Sequence, residues 1–450
     1  LLTFEKNYPD AKVLLMEENF RSDARIVLAA DRFIQKNTLR HEKHMKAARK
    51  PASDIREISL RSRKAQYTYL AKLAEGCTSQ TAILYRDNEC ILPLVDLLER
   101  NGIPYQMRNA ELSFFSHRTI LDIINIIKLA QNPMDTEAFL QIYYKIGTYL
   151  RKQDAIRIAR ISEEKRIPVL DVAAEDSDLN GHVLGSVRSM RTHLQNLLQD
   201  SGERAIYRIM QFMGYQEYLN RSGLSDSKLE ILRILGSRAD SPMELAERLE
   251  QLKVLIREKE PDRKCPLILS TIHASKGLEY DSVYLIDVAD GILPESIPQN
   301  LHQASAEELK AYEEERRLFY VGVTRAKDHL TLFTTNRPST FCSEFLGKSS
   351  VTEEGRKNLM PVESRISRTF KQARPYAAVA GIRQTKASEE LYFRLKEELG
   401  TGVIVEHKKY GEGVVTQLDD RLVHIMFQDD TLRMMDLKIL ANAGLLKVKK

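Results

Sequence analysis

Apolar and polar positions follow two rhythms along this chain, and the changes of rhythm mark its parts. Val13–Met16 is a short apolar run ending in Glu17-Glu18-Asn19, the pattern of a strand that runs into a loop. Ser22 or Asp23 then caps a helix whose apolar positions Ile26, Val27, Ala30, Phe33 and Ile34 recur at helical spacing, with Asn37 closing it. The stretch from Arg40 to Lys50 is basic, has neither rhythm, and reads as a solvated loop. Arg56–Leu60 reads as a strand, Ala65–Ala74 as a helix and Thr81–Tyr85 as a buried strand. Ile91–Arg100 is an amphipathic helix stopped by Asn101-Gly102. Strands and helices in alternation predict a parallel α/β sheet.

From Ala110 to about Arg263 the strand signals vanish and helical spacing takes over, as in Ile120–Ala130, Glu137–Tyr144, Ala205–Phe212 and Met243–Ile256. This predicts an all-α insertion. The α/β rhythm then resumes, with strands at Leu267–Thr271, Val283–Val288 and Leu330–Thr334 and a helix at Glu307–Tyr320. Lys348 to about Glu398 is polar and mixed, the character of a linker with some helix. In the last fifty residues Val403 and Val405 alternate, Val414-Val415 follow a glycine-rich turn, and Val423, Ile425 and Phe427 alternate after Asp419-Asp420. Short strands divided by Gly and Asp turns predict a small β-barrel of SH3 or Tudor type. The expected segments are 1–108 and 264–347 for the α/β domain, 109–263 for the insertion, 348–399 for the linker and 400–450 for the barrel.

Composition narrows this picture only slightly. A length of 450 residues fits two to four domains. Hydrophobic residues at 43% and charged residues at 29% exclude a disordered chain. The net charge of +5 is compatible with a nucleic-acid partner without requiring one. Cys77, Cys90, Cys265 and Cys342 are far apart and form no C-x-x-C pair, which argues against a zinc site or disulfide framework and for a reducing cytoplasm. No apolar run approaches the roughly 20 residues that span a bilayer, and no secretory signal is present, so no membrane role is expected. The chain opens on Leu1-Leu2-Thr3 rather than Met, which reads as a cut through a longer protein.

Four segments carry candidate chemistry. Asn19-Phe20-Arg21-Ser22 lies between a strand and a helix, where α/β folds place ligands at the C-terminal ends of strands. There an arginine can fork onto phosphate oxygens and an aromatic can lie on a base, although an arginine before a helix also suits a surface ion pair. Thr271-Ile272-His273-Ala274-Ser275-Lys276-Gly277-Leu278-Glu279-Tyr280 runs from strand through polar loop and glycine to the next strand. Glu314-Glu315-Arg316-Arg317-Leu318-Phe319-Tyr320-Val321-Gly322-Val323-Thr324-Arg325-Ala326 begins as a helix with paired charges, but pairing leaves its uncharged stretch up to Arg325 unexplained. Ala82-Ile83-Leu84-Tyr85-Arg86 precedes Asn101-Gly102-Ile103-Pro104-Tyr105.

In kind, order and spacing these segments resemble the second half of the UvrD/Rep/PcrA-like DNA helicases. The resemblance covers nearly the whole chain. It implies a second RecA-like domain interrupted by a helical subdomain and followed by a Tudor-like tail. It implies that Arg21 and Arg325 would reach the γ-phosphate of ATP as catalytic arginines, that Phe20 would lie on the adenine where the family usually has Tyr, and that Glu279 would contact the ribose. It also implies that Arg86, Thr271 and His273 would hold single-stranded DNA. Tyr144-Lys145-Ile146-Gly147 is the nearest match to the family's Gly-Ile-Gly hairpin, with Lys145 in the first glycine's place and able to meet duplex phosphate. No G-x-x-x-x-G-K-[ST] occurs, so the phosphate cradle and the Mg²⁺ ligands would belong to an N-terminal RecA-like domain outside this chain.

The function that follows is that of a C-terminal fragment of an ATP-dependent 3′-to-5′ helicase acting on single-stranded and junction DNA. The fragment alone is expected not to hydrolyse ATP. The alternative is a non-hydrolysing module that binds DNA, or that docks RNA polymerase through the barrel. A nuclease-helicase fits less well, because no carboxylate-rich motif follows the third segment.

Overall fold

The computed structural model describes residues 16–348 apart from 41–42, 109–112, 261, 263, 299, 302 and 336–338, with isolated residues before them and, in the tail, 395, 399 and most of 403–448. Nearly all of the expected linker, the Asp419-Asp420 turn and half of the Val13–Met16 run lie outside the described residues. The chain divides into two units, Leu1–Ser350 and Val351–Lys450.

In the first unit β1 (Glu18–Asn19) pairs in parallel with β2 (Lys46–Ala47) to form a separate two-stranded ribbon. Strands β3 (Arg56–Leu60), β4 (Thr81–Tyr85), β5 (Gln106–Met107), β6 (Leu267–Thr271), β7 (Tyr280–Leu285) and β8 (Ala326–Thr335) form a six-stranded sheet in the order β3-β8-β7-β4-β6-β5. Every pairing in it is parallel. All five residues of β4 and of β6 are buried. Their continuous small and apolar sequences suit strands covered on both faces. Helices Arg63–Ala74, Leu92–Arg100 and Ala306–Val323 make the crossovers from β3 to β4, β4 to β5 and β7 to β8.

One face is covered by helices Ala24–Ile34, Ala306–Val323 and Thr340–Leu346. Phe33 packs against Phe319, Phe341 and Phe345 with ring centroids 4.9 to 6.0 Å apart. Arg316 lies across the rings of Phe33 and Phe341 and pairs with Glu344. Asp23 caps the first of these helices and Ser305 with Glu308 forms a capping box on the second.

Between β5 and β6 the described chain is helical, from Ser113–Ser116 to Pro242–Glu258. These helices share one apolar core with the other face of the sheet, including Leu94, Leu98, Ile126, Phe139, Leu232 and Leu252. Helices Gly202–Gln211 and Ser227–Gly236 touch backbone to backbone. A Cβ on Gly236 would stand 2.8 Å from the carbonyl carbon of Gly202, so only glycine fits the crossing. The contact between insertion and sheet is also ionic: Arg63 reaches Glu230, Lys228 meets Glu89 and Arg248 meets Asp96. No helix among the described residues is long and apolar enough to cross a membrane.

In the second unit β9 (Ile404–His407), β10 (Gly411–Leu418), β11 (Leu422–Phe427), β12 (Leu432–Asp436) and β13 (Leu446–Val448) form an antiparallel sheet in the order β12-β11-β10-β9-β13. Val405, Val415, Val423, Ile425, Phe427 and Leu446 fill its core.

Two local expectations change. The basic stretch from Arg40 to Lys50 is not uniformly a solvated loop, because Lys46-Ala47 pairs with Glu18-Asn19. That pairing also moves the Asn19–Ser22 loop: it leaves the ribbon, not the C-terminal end of a strand in the main sheet.

Candidate active site

The site is assembled at the N-terminal edge of β7 and β8. Glu279 immediately precedes β7 and Arg325 immediately precedes β8, and Tyr280 N–H donates to the Arg325 carbonyl at 3.0 Å. The Asn19–Ser22 loop is brought there by Asp23, whose N–H donates to the Lys327 carbonyl at 2.7 Å. The Asn19 side-chain oxygen accepts from the N–H groups of both Arg21 and Ser22 at 3.0 Å, which bends the loop and aims Arg21. The Asp23 carboxylate accepts from the N–H groups of Arg25, Ala52 and Ser53 at 2.5 to 3.1 Å. Burial alone would raise the Asp23 pKa, but these backbone donors hold it below the ordinary carboxylate value.

Arg21 Nε donates to Glu279 Oε2 at 2.8 Å, and its Nη1 lies 3.5 Å from the Thr324 carbonyl. That hydrogen bond is the main reason the Glu279 carboxyl sits below its usual pKa. Arg325 is held differently. Its Nε donates to the Val321 carbonyl at 3.0 Å, Nη1 to the Leu278 carbonyl at 3.1 Å and Nη2 to Thr324 Oγ1 at 3.2 Å. All three acceptors are neutral. Burial and then the neighbouring Arg21 charge lower its pKa. Lys327 Nζ stands 3.1 Å from Asp281 and 3.8 Å from Glu279. Three cations thus face two carboxylates, both partly exposed, so the edge has room for an added anion. Gly277 turns the loop before Glu279 at φ +87°, a conformation that favours glycine, with open space where a Cβ would be. Phe20 is 71% exposed beside this edge, its ring available to a planar partner.

The residues expected to hold DNA separate into three kinds. His273 is exposed in the loop that leaves the C-terminal end of β6. Thr271 is buried, and its Oγ1 accepts from the Ala274 N–H at 3.1 Å, so it shapes the loop. Arg86 departs from expectation. It is bound by Glu315 at 2.8 Å, Asp87 at 2.8 Å and Glu295 at 2.6 Å. Burial would lower its pKa, but hydrogen bonding to Glu315 and the nearby carboxylate charges raise it. A guanidinium shared among three carboxylates has little left for phosphate. Lys145 is also paired within the fold. Its side chain is 4% exposed and its ammonium sits 2.5 Å from Asp122, which also accepts from Tyr215 Oη at 2.9 Å. A buried ammonium already paired inside the helical subdomain does not face duplex phosphate.

Sequence reading missed Lys327, Thr324 and Arg49 as parts of this edge. Lys327 and Thr324 flank Arg325 and were legible as neighbours. Nothing in the aperiodic stretch around Arg49 signalled it.

The UvrD-like helicase C-terminal domain family model matches residues 14–337. The chain is similar to YjcD of Bacillus subtilis (strain 168), which bears an ATP-dependent DNA helicase name, at 29% identity over 74% of this chain and 45% of that protein. It is similar to the ATP-dependent DNA helicase PcrA of Staphylococcus epidermidis at 25% identity over 94% of this chain and 60% of the relative. To the ATP-dependent DNA helicase Rep of Escherichia coli (strain K12) it is 28% identical over 76% of this chain and 53% of the relative. The chain therefore spans about half the length of the curated relatives it matches.

Proposed function

Because this chain belongs to the UvrD-like helicase C-terminal family, we propose that it forms one wall of the ATP site in an ATP-dependent DNA helicase moving 3′ to 5′. One observation carries this reading. Arg21 meets Glu279, 258 residues further along the chain, and the Thr324 carbonyl beside Arg325, 303 residues further along, on a single edge. In this reading Arg325 and Arg21 bring fixed positive charge to the γ-phosphate. Guanidinium groups already held in place stabilise charge that builds in phosphoryl transfer without reorganising. Neutral oxygens anchor Arg325, so its charge is not spent on a carboxylate. Phe20 offers an aromatic face to the adenine, and Glu279 an acceptor to the ribose.

By the same resemblance Mg²⁺ belongs elsewhere in this scheme; Glu279 and Asp281 already face Arg21 and Lys327. The phosphate cradle and the metal ligands fall to a partner RecA-like domain.

The DNA side is narrower than the sequence suggested, with His273 as its exposed member. The loop from His273 to Glu279 runs from the C-terminal end of β6 to the N-terminal start of β7. It joins the DNA side of the sheet to the nucleotide side, so closure around ATP can move the strand-holding edge. By the same resemblance we read the antiparallel tail as a small barrel of SH3 or Tudor type.

The test joins this chain to its phosphate-holding domain and compares Arg325→Ala with the parent for DNA-stimulated ATP hydrolysis. We expect a loss of about 10² or more. A normal rate removes Arg325 from this role.

A further inference from the structure

Arg49 lies in the aperiodic basic stretch, yet its guanidinium is turned inward onto the backbone that carries the two candidate arginines. Its Nη1 donates to the Arg21 carbonyl at 2.5 Å and to the Lys327 carbonyl at 3.2 Å. Its Nη2 pairs with the Asp328 carboxylate. The Lys327 carbonyl also accepts from the Asp23 N–H at 2.7 Å. One nitrogen of Arg49 thus bridges the residue that bears one candidate arginine and a carbonyl two residues beyond the other.

Glu279 also links Arg21 to Lys327, but through their partly exposed side chains at 2.8 and 3.8 Å; Arg49 joins their backbone carbonyls. The Asn19 side chain shapes the Arg21 loop from within. Asp23 ties that loop to the start of β8, but by a backbone bond two residues from Arg21. Arg49 is itself fixed at its base, because the adjacent Ala48 N–H donates to the Asn19 carbonyl at 3.0 Å and β2 pairs with β1.

We propose that Arg49 is a positioning residue that sets the spacing of Arg21 and Arg325. This rests on the ATP-site reading above. Arg49 touches no nucleotide in that scheme; it acts through the two loops it clamps. A planar guanidinium with several fixed donors can serve two carbonyls and a carboxylate at once, which a lysine ammonium on a flexible stem cannot do in the same geometry. The spacing matters because charge stabilisation of a transition state falls off steeply with misplacement, by up to about 10² for 1 Å.

The experiment is a double-mutant cycle in the helicase that carries this chain with its phosphate-holding domain. The variants are Arg49→Ala, Arg49→Lys, Arg325→Ala and Arg49→Ala/Arg325→Ala. DNA-stimulated kcat and the KM for ATP are measured separately. We expect Arg49→Ala to lower kcat about tenfold while KM moves less than about threefold, since the loss falls on the transition state. Arg49→Lys should recover part of kcat. In the Arg325→Ala background, Arg49→Ala should cost less than about twofold more, because there is no longer a second arginine for it to space against Arg21.

A full tenfold loss persisting in that background would make Arg49 a general structural residue and overturn the proposal. So would a normal kcat for Arg49→Ala while Arg325→Ala stays impaired, and that result would leave the ATP-site reading standing. A normal rate for Arg325→Ala overturns the ATP-site reading and the positioning role together.

Discussion

Arg325 and Arg86 each stand at the end of a sheet strand in a motif of the same family, and their surroundings are opposite. Arg325 donates to two carbonyls and a hydroxyl, with another guanidinium nearby. Arg86 is surrounded by Glu315, Asp87 and Glu295. The hydrogen bonds of Arg325 go to neutral oxygens, whereas the charge of Arg86 is already met by carboxylates within the fold. The local ratio of cations to carboxylates thus differs between two motif arginines, and a motif match alone does not report that ratio. Lys145 marks the far end of the scale, a cation fully enclosed with its counterion.

The comparison is broken most forcefully at Lys145. Lys145→Ala leaves Asp122 buried with the Tyr215 hydroxyl as its side-chain partner among the described residues, and removing one member of a buried pair costs about 3–5 kcal/mol. Denaturant unfolding should show that loss. Duplex DNA binding should keep its salt dependence, because no phosphate contact is removed. Little change in stability together with a shallower salt slope would reinstate Lys145 as a DNA contact.

Arg86→Ala should act in the same direction and more weakly. Glu295 and Asp87 are solvated enough to lose a partner cheaply, so the cost comes from Glu315, 16% exposed, and amounts to about 1–3 kcal/mol. The slope of log affinity against log salt should stay where it is. A fall of about 0.7, the value for one phosphate contact on a single strand, would show that Arg86 leaves its carboxylates for DNA.

These outcomes bear on what the sequence made legible. Strands β3, β4 and β6 coincide with the ranges read from the sequence: β4 and β6, buried throughout, leave an unbroken small and apolar run, while the edge strand β3, with no residue buried, shows only its alternating Ile58 and Leu60. The ribbon of β1 and β2 left none, since two-residue strands are too short for alternation to show. The motif segments located the candidate site, but they could not say which cations face outward. Lys145 at the start of a hairpin turn and Arg86 at a strand end look equally available in one dimension. Their fates depend on Asp122 and Glu315, 23 residues before the one and 229 after the other. Arg49 escaped for the converse reason: a residue that serves backbone carbonyls leaves no pattern of its own.

The smallest expected effect gives the finest test of the comparison. Glu279 is the carboxylate bound to Arg21, and the pair is exposed, at 30% and 49% for the two side chains. Such a pair contributes about 0.2–1 kcal/mol, so Glu279→Gln should barely change stability. It should instead move the Arg21 edge further toward the surplus of positive charge seen around Arg325. Inorganic tripolyphosphate should then bind the chain about two- to fivefold tighter at low salt, with the gain shrinking as salt rises. ATP should gain less than tripolyphosphate, because the variant also removes the acceptor assigned to the ribose. Equal gains for both ligands would take the ribose from Glu279. No gain for either would mean that Glu279 does not compete with phosphate for Arg21. Arg21 holds the Glu279 carboxyl below its ordinary pKa, so at neutral pH the parent is fully ionised. Acidification should mimic the Gln variant only below the usual carboxylate range of about 4.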